Sequence, residues 1–300
     1  MSRTIAEPLA DLTYPPEAQR WPPVFPPVCA CAWGDDAYGL WIDVQIGGPV
    51  QRFRWIEPGE FVMGSSEDEA ERTDDEGPQH VVRLTEGYWL ADTACSQALW
   101  QAVMGGNRSD FKDDPQSPVE NVSWDDVQDF LRKVGELLPG VSAALPTEAE
   151  WEYACRAGTQ EAFSFGESIT PEQANYDGRK AYAGGATGEY RGRTVPVKTF
   201  AANPWGLYQM HGNVWEWCAD GQRTYDGALQ TDPRGPEGGA PRALRGGSWS
   251  IEPGRLRSAY RYDIERGRRS SFVGFRFSLR STSPEGGAEG LPEATFTRDA

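Results

Sequence analysis

Gly206-Leu-Tyr-Gln-Met-His-Gly-Asn-Val-Trp-Glu-Trp217 decides how the chain reads. Trp215 and Trp217 alternate around Glu216, so in an extended segment both indoles face one side and the carboxylate the other. The Gly- and Asn-dense stretch before them offers no long ladder. Upstream lie two helices. Ser123 caps one in which Val127, Phe130, Leu131, Val134 and Leu138 recur at helical spacing until Pro139-Gly140. Thr147 and Glu150 form a capping box for the other, which continues through Trp151, Ala154 and Cys155 to Gly158. A third is predicted from about Ala94 to Met104. Tyr38 to Ile46 and Gln51 to Ile56 read as a hairpin across Gly47-Gly48-Pro49, and Val81 to Leu84 as a strand. After Gly158 only short apolar pieces remain. The fold class is therefore α+β, with few helices and much irregular loop.

Among 300 residues, 12 Trp, 11 Tyr and 12 Phe imply an aromatic-rich core. Residues 1–28, with Pro15-Pro16, Pro22-Pro23 and Pro26-Pro27, read as a Pro-rich extended arm, and 281–300 as a disordered polar tail. One domain, 29–280, lies between, beginning in earnest near Trp33 and showing no internal repeat. No apolar run approaches the roughly 18 residues of a membrane span, and the amino terminus has no signal-type apolar run. A cytoplasmic location follows as the expectation.

The net charge of -16 is unevenly spread: Pro241 to Arg280 carries ten Arg, no Lys and three acids, net +7. An acidic chain is repelled by phosphates, so no nucleic acid and no membrane are expected as partners. The arginines are expected to set their guanidinium forks against buried carboxylates: Arg245, Arg257 and Arg276 against carboxylates such as Glu148, Glu150 or Glu216. Glu67 to Glu76 reads as a solvated acidic loop. Cysteines at 29, 31, 95, 155 and 218 form no CxxC pair and are odd in number, which suggests neither a disulfide framework nor a zinc knuckle. With only His80 and His211, no site of three imidazoles can exist. His211 reads as a satisfied loop histidine, and Ser248 as a turn hydroxyl bonded to backbone.

Leu145-Pro-Thr-Glu-Ala-Glu-Trp-Glu-Tyr-Ala-Cys-Arg156, the Gly206 to Trp217 stretch, Arg245-Gly-Gly-Ser-Trp249 and Gly274-Phe-Arg276 follow Gly59-Glu-Phe-Val-Met-Gly64. In this order they closely resemble the formylglycine-generating sulfatase-modifying family over roughly residues 52 to 280. The resemblance implies that family's variant of the C-type lectin fold, with small twisted antiparallel sheets. It also implies structural calcium, a hard cation gripping carbonyls and carboxylates. One site would use Asn175, the Tyr176 carbonyl, Glu189 and the Arg191 carbonyl. The other would use Gln209, the carbonyls of Gly212 and Val214, and Glu216.

The family's oxidase needs two cysteines shortly after the RGGS motif to bind copper(I). Those positions fall on Ile251 and Leu256, and no Cys follows Cys218. The H-x3-H-x-E motif of the family's iron-dependent sulfur-transfer branch is missing too. Neither copper nor iron is expected, and no catalytic residue is assigned.

Between the framework residues of Arg245 to Arg276 sit Asp263 and eight uncharged residues, Ser250, Ile251, Tyr260, Tyr262, Ile264, Ser270, Ser271 and Phe272. This filling has the Tyr- and Ser-rich composition of antibody binding loops. It resembles the variable protein of a diversity-generating retroelement, in which adenines of Asn codons are randomised; Ser, Ile, Tyr and Phe are all reachable that way. The expectation is a ligand-binding, noncatalytic display protein whose partner, a protein or other macromolecule, meets these eight residues on one exposed surface, with 245–276 as the candidate variable region. The alternatives are an oxidoreductase of the same family and an adaptor scaffold whose arm recruits a partner.

Overall fold

The computed structural model describes residues 20–236 and 241–281. Residues 1–19 of the arm and all of the predicted tail except Ser281 lie outside the described residues. Strands are numbered along the chain. The largest sheet has six antiparallel strands in the order β1 (Ala30–Asp36), β2 (Gly39–Gln45), β3 (Val50–Ile56), β6 (Tyr88–Ala91), β13 (Ser278–Ser281) and β7 (Val141–Ala144). A second sheet runs β11 (Tyr262–Ile264), β10 (Arg242–Arg245), β8 (Trp215–Trp217) and β12 (Val273–Gly274). The third joins β4 (Gly59–Met63), β5 (His80–Leu84) and β9 (Gln230–Thr231). The smaller sheets are mixed, since β12 pairs parallel with β8 and β9 with β5.

The three predicted helices are α1 (Gln97–Met104), α2 (Trp124–Leu137) and α3 (Glu148–Arg156). Ser123 and Asp126 close a capping box on α2, and Thr147 and Glu150 close one on α3. α1 starts three residues later than expected. Cys95 is committed elsewhere: its N–H donates to the Phe275 carbonyl at 2.8 Å, and its carbonyl accepts from Val119 at 2.8 Å, which leaves Ser96 as the cap. β1 also begins earlier than Trp33, because Ala30 already pairs with Val44.

The five apolar positions predicted for α2 all enter the main core. Phe130 stacks on Trp100 of α1 at 5.4 Å and meets Phe275 and Phe277 edge-on, which fastens both helices to the last strands. Trp215 and Trp217 face this core, whereas Glu216 points to the opposite side, as their alternation predicted. Of the arm, the described residues lie against the six-stranded sheet: the Trp55 indole donates to the Arg20 carbonyl at 2.7 Å, and Phe25 stacks on Trp89.

Candidate binding surface

The frame beneath the late loops is a set of buried arginines. Arg276 donates to Glu216 through Nε at 2.6 Å and Nη2 at 2.8 Å, while the Trp151 indole donates to the same carboxylate at 2.7 Å. Arg261 forks onto Glu148 at 2.8 and 2.7 Å. Arg245 reaches Glu152, with Glu148 at 3.5 Å from its Nε. Burial alone would raise the Glu152 carboxyl, but Arg156 and Arg245 hold it below its ordinary range. Buried forks on carboxylates were thus expected correctly. Glu150 was not their partner: it caps α3 and pairs with Arg280.

The acidic stretch departs from expectation at two residues. Glu76 is fully buried and Glu69 half-buried, and Arg257 bonds both, with 2.7 and 2.6 Å to Glu76 and 2.7 Å to Glu69. Helix α3 does not supply enough carboxylates for the arginines of the late segment. The remaining fork draws Glu69 and Glu76 inward, while Glu67, Asp68, Glu71, Asp74 and Asp75 stay exposed as expected of a solvated loop.

On this frame the glycines of Arg245-Gly-Gly-Ser-Trp249 have a steric cause. Gly246 at φ 93° would place a Cβ 2.8 Å from the Met210 carbonyl, and Gly247 at φ 75° would place one 2.6 Å from Leu256. Ser248 is a turn hydroxyl, accepting from the Ser250 N–H at 3.5 Å and lying 3.2 Å from the Ser250 hydroxyl.

Tyr262 is exposed, and Ser250, Ile251, Tyr260, Ile264, Ser270, Ser271 and Phe272 are all half-buried. Their main chain is held by residues outside the set. The carbonyl of Ile251 accepts from the Asp177 N–H at 3.0 Å, that of Ser270 from Asn121 at 2.9 Å, that of Ser271 from the Trp249 indole at 3.0 Å and that of Phe272 from Trp215 at 2.8 Å. The Tyr260 carbonyl accepts from Arg245. Tyr262 and Ile264 are fixed by the β10 ladder, opposite Leu244 and Arg242. Tyr260 and Tyr262 gather over Trp215, with ring centroids at 5.9 and 5.4 Å. Ile251 packs both on the main core, as Ile264 and Phe272 do, and on the cluster of Phe163, Tyr176 and Leu256. The anchoring roles of Asn121 and Asp177 were not read from the sequence, whereas Trp249 belongs to the framework expected there. Asn121, with φ 65°, is one of the few non-glycine residues in the left-handed region, a conformation that composition does not announce.

The positions that the resemblance assigns to copper-binding thiolates hold Ile251, half-buried, and Leu256, fully buried, both packed into that same cluster. Cys155 lies 3.6 Å from His211 Nε2, but burial pushes its thiol up to about 12. Burial also lowers His211 to about 4; its ring bonds the Leu256 carbonyl at 2.7 Å and accepts from the Ser164 N–H at 3.0 Å. It is the satisfied histidine expected.

The proposed calcium ligands fare unequally. The Asn175 amide is buried; its nitrogen donates to the Arg193 carbonyl and to Asn213, and its oxygen has no partner. A hard cation fits that oxygen. An isolated bridge between Asp177 and Tyr190 brings Tyr176 toward the Glu189 and Arg191 strand, but the Glu189 carboxylate is 62% exposed and 2.9 Å from Arg191. At the second site the Gln209 oxygen accepts from Asn213 at 2.9 Å, beside the turn of Gly212 and Val214. Both oxygens of Glu216 are bonded by Arg276, and one by Trp151 as well. The residues of that second site do not fit a cation: of the two roles expected of Glu216, the structure realises the one toward arginine.

A family model described as the sulfatase-modifying factor enzyme 1-like domain matches residues 45–280. The formylglycine-generating enzymes of Thermomonospora curvata and Streptomyces coelicolor are 39% and 35% identical, over 54% and 60% of this chain and 53% and 60% of their own. The chain therefore spans little more than half the length of these two relatives. Among solved structures, Treponema denticola variable protein 1 superposes with a TM-score of 0.67 and 26% identity, covering 80% of this chain and 99% of that one. With its motifs in order, its C-type lectin-like α+β fold in place and a match across most of its length, the chain belongs to the sulfatase-modifying factor enzyme 1-like domain family.

Proposed function

We propose that this chain is a noncatalytic ligand-binding protein of the kind diversified by retroelements. Its partner, a protein or another macromolecule, meets Ser250, Ile251, Tyr260, Tyr262, Ile264, Ser270, Ser271 and Phe272. The observation that carries this reading is the division of labour within those residues. Frame groups hold their carbonyls and strand edges, while Tyr262 is exposed and the other seven side chains are half-buried, four of them resting on the main core. A surface built so can exchange side chains without moving its backbone, the requirement of a diversified site. Likeness to a variable protein supports it.

The enzyme reading rests on the formylglycine-generating relatives. Against it stand Ile251 and Leu256 where copper(I) chemistry needs soft thiolates. A cytoplasmic location without nucleic acid or membrane partners remains part of the proposal, as does calcium at the Asn175 site alone. There Asn175, Glu189 and the carbonyls of Tyr176 and Arg191 would hold it, and it would order loops rather than react.

The test is the DNA beside the coding sequence. A nearby copy of the segment encoding 245–276, differing mainly at adenines and lying beside a reverse transcriptase gene, is the expected result. A locus with neither removes the diversification, and turnover of a cysteine-containing sulfatase peptide with copper and oxygen removes the noncatalytic reading.

A further inference from the structure

The late loops have a fixed border on one side. Trp249, whose indole holds the Ser271 carbonyl, meets Phe111 edge-on at 5.3 Å and stacks on Tyr190 at 6.3 Å. Arg179 lies 4.1 Å over the Tyr190 ring and Arg193 lies 5.6 Å over that of Phe111, so the three rings run between two guanidinium groups. The stack is tied to the late loops at both ends. Asp177, whose N–H holds the Ile251 carbonyl, takes both arms of Arg179 on its carboxylate at 2.8 and 2.9 Å. At the other end Glu120 accepts from the Phe111 N–H at 3.0 Å, and the next residue, Asn121, holds the Ser270 carbonyl. Phe111, Tyr190 and Trp249 are half-buried, which leaves ring surface in solvent beside Ser250 and Ser271.

The charges along this border are unequally committed. Arg179, Arg193, Arg266 and Arg269 are paired, with Asp177, Asp113, Asp125 and Asp126 in turn. Arg108, Lys112 and Arg268 are exposed and make no ion pair among the described residues. All three belong to the same edge: the Arg108 carbonyl accepts from the Asn121 amide at 3.3 Å, Lys112 follows Phe111, and Arg268 stands two residues before Ser270. Asp110, between the first two, has its carboxylate taken by the Asn121 amide at 3.2 Å. In a chain of net charge -16, three free cations beside an aromatic stack make a local positive face. The Tyr262 side, by contrast, exposes Asp263 and Glu265. Aromatic rings and arginines are the residue types that carry most of the energy of protein interfaces, and complementary charge decides which partner binds and in which orientation.

We infer that Phe111, Tyr190 and Trp249, with Arg108, Lys112 and Arg268, form a fixed anchor beside the late loops that binds an acidic, aromatic-bearing segment of a partner protein. It rests on the display reading: the eight late-loop residues select among partners, and this border contributes the same contacts to each.

A fluorescein-labelled random copolymer of Glu and Tyr is titrated with the full-length protein at about 0.15 M salt, beside a copolymer of Lys and Tyr and beside polyglutamate. Saturable binding of the Glu-Tyr copolymer is expected, and at least about tenfold weaker binding of the other two. Arg108→Glu/Lys112→Glu/Arg268→Glu should weaken it at least about tenfold and, lying at exposed positions, keep the unfolding midpoint. Tyr190→Ala should weaken it as well, while Tyr190→Phe, which keeps the ring, should bind as the parent does. Absence of saturable binding, equal binding of the Lys-Tyr copolymer, or indifference to the charge reversal or to Tyr190→Ala overturns the anchor. Tyr260→Ala/Tyr262→Ala should bind the copolymer unchanged. A loss there would put the acidic segment on the late loops and overturn the anchor with the display reading left in place, whereas a locus without the template copy removes the diversification and leaves the copolymer result as it is.

Discussion

Arg257 grips Glu76 with both ends of its guanidinium fork, at 2.7 and 2.6 Å, across 181 residues of chain. Neither side chain is exposed. The pair ties the first acidic loop to the floor of the late loops, with the Glu71 carbonyl accepting from the same arginine at 2.7 Å.

Breaking that pair from one side strands a buried charge. Arg257→Ala and Glu76→Gln should each cost about 3–5 kcal/mol in urea unfolding, and a double change of both to Met should cost less than either. Single-variant losses below about 1 kcal/mol would show that the pair is not structural.

What was legible in the sequence depended on range. The caps at Ser123 and Thr147 and the hairpin over Gly47-Gly48-Pro49 involve residues only a few positions apart, so local chemistry announces them. The eight late-loop residues stood out because their composition differs from that of the arginines and glycines around them. Pairing choices were harder, because a carboxylate looks alike in sequence whether it meets water or Arg257. Of the ten arginines in that short segment, Arg245, Arg257, Arg261 and Arg276 do meet buried acids, but which acids was a matter of topology. Glu216 read equally well as cation ligand or arginine partner until Arg276 was placed beside it.

His211 gives acid sensitivity of predictable sign. Its folded pKa, about 4, lies below the ordinary 6.5, so the neutral ring contributes stability that is complete above pH 6.5 and lost as pH falls toward 4, by about 3 kcal/mol. Ring resonances in NMR spectra of this two-histidine protein test it. The His211 signal should stay neutral down to about pH 4 in the folded state; titration near 6.5 would contradict the buried environment.

Glu120 works in the opposite sense. It is fully buried, accepts from the N–H groups of Asp110 and Phe111, and leaves its second oxygen without a partner. Burial outweighs those bonds and pushes its carboxyl up to about 7. Stability from this group is present below about pH 4.5 and is lost as pH rises through 7. Glu120→Gln should therefore flatten the decline between pH 4.5 and 7 in denaturant titrations. An unchanged slope would place Glu120 in water.

Calcium separates the two sites proposed from resemblance. Added calcium should raise the unfolding midpoint of the wild-type chain and of Gln209→Ala, but not of Asn175→Ala. A shift lost only with Gln209 would reverse the assignment, and no shift with no bound metal would remove the Asn175 site.

The most direct test of the display surface is a stability measurement on a library. Ser250, Ile251, Tyr260, Tyr262, Ile264, Ser270, Ser271 and Phe272 are randomised together, and the unfolding midpoints of individual clones are compared with those of clones randomised at Asn121, Trp215, Trp249 and Arg245. Most clones of the first set should unfold cooperatively within a few degrees of the parent, because frame residues hold their backbone; most of the second set should fail to fold. If the first set collapses as often as the second, these eight residues are core rather than a surface built to vary.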